Sequence, residues 1–81
     1  MSKNSEHLYR VFLLVIIKIK KLRRDKGLTI RQLAEAASIS KSHLGRIENN
    51  ESMPAVDVLC DIAHALGVNP SETYEYHYTG G

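Results

Sequence analysis

Eighty-one residues, 43% hydrophobic and 25% charged, describe one globular domain, too short for a second core and too apolar for disorder. A single cysteine, Cys60, excludes an internal disulfide and a cysteine-based zinc cluster. The net charge of +2 decides little, but its distribution is uneven: Lys18, Lys20, Lys21, Arg23, Arg24 and Lys26 crowd one segment against Asp25 alone, while most acids lie beyond residue 47. That asymmetry suits either a polyanion-facing side or a solvated helix face.

In chain order, residues 1–5 are polar and read as loose. A first helix is expected from about Glu6 to Lys26, with Leu8, Phe12, Val15, Ile19 and Leu22 as its inward stripe and Gly27 as its stop. On this reading residues 1–17 extend the first helix, and residues 1–81 form one domain. The run Val11–Ile17 is β-branched enough to be a buried strand, but no turn signal separates it from the basic segment, which favours helix. Seven apolar residues fall far short of the roughly 20 that span a membrane. A basic cluster follows them instead of a small-residue cleavage site, so a cytoplasmic protein with no membrane partner is expected.

The second helix has a full start signal. Thr29 is its N-cap, Gln32 completes a capping box, and Leu28 can staple onto Leu33. Ile30, Leu33, Ala34 and Ala37 then fall on one face. After only Ser38 and Ile39 the pattern repeats: Ser40 caps a third helix, Leu44 and Ile47 face inward, and Asn49-Asn50 is a left-handed stop. A fourth helix is expected from Ala55 to Leu66, with Val56, Leu59, Ile62, Ala63 and Leu66 inward and Gly67 ending it. Asn69-Pro70-Ser71-Glu72 opens a short fifth helix to about Tyr76, although the alternation Tyr74–Tyr78 also fits extended chain. The expected fold class is therefore all-α, a five-helix bundle.

Two short helices joined by a tight turn across residues 29–49 make a helix-turn-helix unit. With Leu44 and Ile47 inward, the third helix presents Lys41, Ser42, Gly45, Arg46 and Asn49 outward, and no acid. A B-form major groove admits one α-helix, and cations, hydroxyls and amides suit its base edges and phosphates. Gly45 costs a helix about 1 kcal/mol relative to alanine, so it has either a reason, such as close approach to DNA, or simple tolerance at a surface.

Residues 18–73 resemble the XRE/Cro-type helix-turn-helix family of the phage repressors. The resemblance is carried by Ile19-Lys20-Lys21-Leu22-Arg23, Lys26-Gly27-Leu28-Thr29, Gln32-Leu33-Ala34, Ile39-Ser40, Ile47-Glu48-Asn49, Pro54 and Ala65-Leu66-Gly67-Val68. It implies a dimeric transcriptional regulator that binds double-stranded DNA at a palindromic operator. Lys41, Ser42 and Arg46 match base-contacting positions; Thr29, Gln32 and Asn49 match phosphate-contacting or bracing ones. An ion pair between Arg23 and Glu48 is implied as well. Ile30, Ser38 and Ala55 depart from the family's usual glutamine, turn glycine and helix cap.

Enzymatic chemistry has no footing: Ser42 and His43 diverge by about 100° on a helix, and Cys60 with His64 supplies two ligands where a metal site needs more. Neither catalytic residue, metal nor cofactor is expected, and Cys60 reads as half-buried packing. The rival reading is an antitoxin or adaptor that binds a partner protein. Val11, Leu14 and Ile17, with Leu13, exceed what one core stripe needs and read as a surface for a second copy or another protein. The alternative cover is the chain's own Tyr74–Tyr78 tail folded back over this run.

Overall fold

The computed structural model describes residues 11–80. Strand β1 (Val11–Ile17) leads into helices α1 (Ile19–Asp25), α2 (Ile30–Ala36), α3 (Lys41–Glu48) and α4 (Val56–Leu66), then a 3-10 turn (Pro70–Glu72) and strand β2 (Tyr74–Gly80). The all-α, five-helix expectation is thus corrected, among the described residues, to four helices and a two-stranded sheet. The two ends of the described chain pair antiparallel, from Val11 opposite Gly80 to Ile17 opposite Tyr74.

Two expected helical segments are strands for one reason: each supplies the other's ladder. Val11–Ile17 is rich in side chains that are stiff at Cβ and favour extended backbone, and the tyrosines of β2 alternate with polar residues at the strand period. The tail does fold back over the aliphatic run, but as a hydrogen-bonded partner strand. The boundary at Lys18 carries no local helix signal. Lys18 gives α1 no side-chain cap, and its N–H donates instead to the carbonyl of Thr73 at 2.8 Å. Thr73 is fully buried and its hydroxyl donates to the Pro70 carbonyl. The junction between strand and helix is therefore set by a contact 55 residues away in sequence, which no window around Lys18 contains.

The helical body follows its local signals. Thr29 and Gln32 exchange both hydrogen bonds of a capping box, at 3.0 and 2.8 Å, and the Ser40 hydroxyl accepts from the His43 N–H at 3.0 Å. Helices α1, α2 and α3 all end in a left-handed residue, respectively Gly27, Ser38 and Asn50. Each end carries the paired 6→1 and 5→2 backbone bonds of a Schellman motif; after α2 these are Ile39 to Ala34 and Ser38 to Glu35. The core gathers Ile19, Leu33, Leu44, Ile47, Ile62 and Leu66, all buried, with Ile17 and Leu22 packed against its edge.

Four side chains depart from their expected places. Phe12, expected in the core stripe of a helix, is 60% exposed on the strand. Val56 opens α4 and is exposed, because the helix meets the core only from Val58 and Leu59 onward. Cys60 is exposed, not half-buried. Leu14, grouped with Val11 and Ile17 at helical spacing, takes the opposite face of β1 from those two positions once the period is two. Leu8 lies outside the described residues.

Candidate nucleic-acid interface

The turn between α2 and α3 is short because Ser38 takes φ 59°, which reverses the chain within Ala37–Ser40. Ser40 then caps α3, and Leu44 and Ile47 anchor it in the core. With that face fixed, Lys41, Ser42, Arg46 and Asn49 are all exposed on the opposite side. No carboxylate stands among them; Glu48, the next acid, is turned inward and buried.

Glu48 is held there by Arg23 of α1. The guanidinium grips the carboxylate with two bonds, Nε to Oε2 at 2.8 Å and Nη2 to Oε1 at 3.1 Å. Its third arm, Nη1, donates to the Leu28 carbonyl at 2.9 Å. The two side chains are 11% and 3% exposed, so this is a desolvated pair. The Glu48 hydrogen bond, against a smaller opposing effect of burial, raises the Arg23 pKa above its ordinary value, so the cation persists. One arginine thereby ties α1, the α1–α2 loop and the end of α3 together.

The capping box also orients the residues at the start of α2. It uses the Thr29 hydroxyl as acceptor and the Gln32 amide oxygen, leaving the hydroxyl proton and the amide NH2 of two exposed side chains to donate elsewhere. On α1, Lys21 pairs with Asp25 at 2.9 Å, and just before the helix Lys18 pairs with Glu75 at 3.9 Å, both in solvent. Among the described residues Lys20, Arg24 and Lys26 have no acidic partner within 4 Å. An open cleft of about 380 Å³ lies on this side, lined by Ile17, Lys20, Lys21, Arg24, Asp25 and Glu48 rather than by the outer face of α3.

A methyl group on Gly45 would meet only the Ile30 Cδ1 atom, at 3.7 Å, an ordinary contact. Packing inside the domain therefore does not require the glycine. Among the described residues no three His, Cys, Asp or Glu side chains gather as a metal site, and no helix is long and apolar enough to cross a membrane. The feature that reading for single elements missed is the β1–β2 ribbon. Its signal was present as two seven-residue segments of strand character at opposite ends of the chain.

The chain is 46% identical over 56 residues to the HTH-type transcriptional regulator SutR of Escherichia coli, which covers 69% of this chain and 31% of that protein. It is 41% identical over 54 residues to the immunity repressor of Bacillus phage phi105, covering 67% and 38%. The chain thus spans about a third of the length of these two regulators. Among solved structures, the restriction-modification controller protein C.AhdI of Aeromonas hydrophila superposes with a TM-score of 0.68 at 27% identity, over 69% of this chain and 85% of that one. SinR, solved in complex with DNA, superposes with a TM-score of 0.63 at 35% identity, over 65% and 86%. Residues 19–72, more than half of the chain and the whole helical body, match the helix-turn-helix family HTH_3, and the chain belongs to that family.

Proposed function

We propose that this chain is the DNA-reading domain of a transcriptional regulator, which binds a palindromic operator as a homodimer with α3 in the major groove. The observation that carries this reading is the outer face of α3: exposed Lys41, Ser42 and Arg46, free of acids, on a helix braced from beneath by Leu44, Ile47 and the Arg23–Glu48 pair. Lys41 and Arg46 are suited to guanine O6 and N7, and Ser42 to either partner of a base edge. Thr29, Gln32 and Asn49 donate to phosphates and set the register. The regulators and repressors to which the chain is similar support the same assignment.

In vitro selection of bound duplexes from a random pool tests it. The expected product is an inverted repeat whose half-sites lie about one helical turn, 10–10.5 base pairs, apart or a multiple of that. A pool that shows no enrichment would overturn the reading. The antitoxin or adaptor alternative draws on the exposed apolar ribbon instead of α3. A protein partner would be lost on substitution of ribbon residues, and DNA on substitution of Arg46.

A further inference from the structure

Among the described residues the β1–β2 ribbon carries apolar surface that nothing else covers. It leaves the helical body at Ile17 and Tyr74 and carries Phe12, Leu13, Leu14, Tyr76 and Tyr78 out at 51–65% exposure. An isolated two-stranded ribbon is marginal in water and becomes stable only with further strands or a helix packed on an apolar face.

Its two faces differ. On one, Phe12, Leu14 and Ile16 stand opposite Thr79, His77 and Glu75, and Glu75 meets His77 at 3.3 Å and Lys18 at 3.9 Å. That face is half polar. On the other, Leu13, Val15 and Ile17 stand opposite Tyr78, Tyr76 and Tyr74, with no charge between them. Ile17 packs on the domain core, so this second face continues the core outward, and among the described residues nothing covers its far half. Tyr76 and Tyr78 sit edge to face, ring centres 6.1 Å apart, a favourable arrangement for an aromatic pair.

We propose that this Leu13–Val15–Tyr76–Tyr78 face is the dimer interface, packed against the same face of a second copy in two layers of two strands. The choice of a second copy rests on the operator-dimer reading, and the face itself favours it. A row of aliphatics beside a row of tyrosines is self-complementary under a two-fold axis that lays each row on the other, and it holds no charge to repel its copy. Sheets packed in this way lie about 10 Å apart with side chains interdigitated. Aromatic side chains contribute about 150–250 Å² each, so a face roughly half in water offers on the order of 500 Å² per copy. Two copies bury on the order of 1,000 Å², the lower bound for a specific interface.

Sedimentation equilibrium without DNA tests the proposal independently of any operator. The wild type is expected to dimerise, and Leu13→Glu and Tyr76→Glu each to weaken the dimer by at least about 100-fold, because each buries a carboxylate at the contact. Thr79→Glu, on the other face, and Val56→Glu, on α4, are expected to leave association unchanged. Because a glutamate could also unravel the ribbon, the wild type is examined in parallel by isotope-filtered NMR on a mixed-label dimer, which should give intermolecular contacts between the Leu13 and Val15 methyls and the Tyr76 and Tyr78 rings. A monomeric wild type, wild-type association in both glutamate variants, or intermolecular contacts confined to Val56 or Phe12 would overturn it. A ribbon dimer that selects no DNA would sink the operator reading and leave this one standing; an enriched palindrome with no ribbon contacts would do the reverse.

Discussion

At the scale of single residues, Gly45 separates folding from function. Alanine fits the space and is the better helix former by about 1 kcal/mol, which for a domain of this size raises Tm by about 4–8 °C. If the missing side chain lets α3 approach the bases, the same variant binds its operator less tightly. Gly45→Ala is therefore expected to melt higher and bind weaker, by thermal denaturation and fluorescence anisotropy on one preparation. Unchanged affinity would reduce the glycine to a tolerated surface residue. Arg46 sits one position on and is exposed. Arg46→Ala should cost about 1–3 kcal/mol on the selected site and relax preference at one base pair per half-site; equal weakening on every duplex would make it a phosphate contact. Ser38 carries its own strain, a serine at φ 59° where glycine would sit freely. Ser38→Gly is expected to gain about 0.5–1 kcal/mol of stability, the relief of left-handed strain less glycine's larger unfolded-state entropy, with DNA affinity unchanged.

At the scale of elements, the Arg23–Glu48 pair decides how α3 is aimed. Its two side chains lie 25 positions apart, and three of the arginine's hydrogen bonds converge on α3 and the α1–α2 loop. Glu48→Ala strands a buried guanidinium, so a loss of about 3–5 kcal/mol is expected, with operator binding falling in the same variant at temperatures where it is still folded. Arg23→Lys keeps the charge but not the fork, and should recover only part of both; recovery in full would mean that charge alone, not geometry, holds α3. The elements themselves were unequally legible. α2 and α3 could be read because each carries its instructions within a few residues: Thr29 with Gln32, Ser40 before Leu44, and a left-handed residue after each. The pair was expected only through family resemblance, since nothing near Arg23 in the chain points to Glu48. The strands could not be placed by local reading. Val11–Ile17 has the composition of either a buried helix or a strand, and the ladder that decides between them comes from Tyr74–Gly80. The same limit explains the grouping of Val11, Leu14 and Ile17, which share a helix face and divide between the two faces of a strand.

At the scale of the molecule, the cations and the ribbon make one connected prediction about salt. Lys41 and Arg46 project from α3, while Lys20 and Arg24 on α1 and Lys26 just after it have no acidic partner among the described residues. Lys18 and Lys21 are tied only to exposed acids, and such pairs contribute at most about 1 kcal/mol, so they too can turn to phosphate. Each phosphate neutralised adds about −0.9 to the slope of log K against log salt. A dimer with two such surfaces on one duplex should therefore lose affinity by orders of magnitude between low and moderate salt. If the ribbon joins the two copies, breaking it leaves each α3 and its cations intact but removes the link. Leu13→Glu is then expected to bind a single half-site with a salt slope close to half the wild-type value on the full operator, since one copy covers half the phosphates. Titrations at four salt concentrations on full and half operators measure it. A Leu13→Glu slope equal to wild type on the full site would mean that two copies still bind together without the ribbon, and the link between them would have to lie in the helical body.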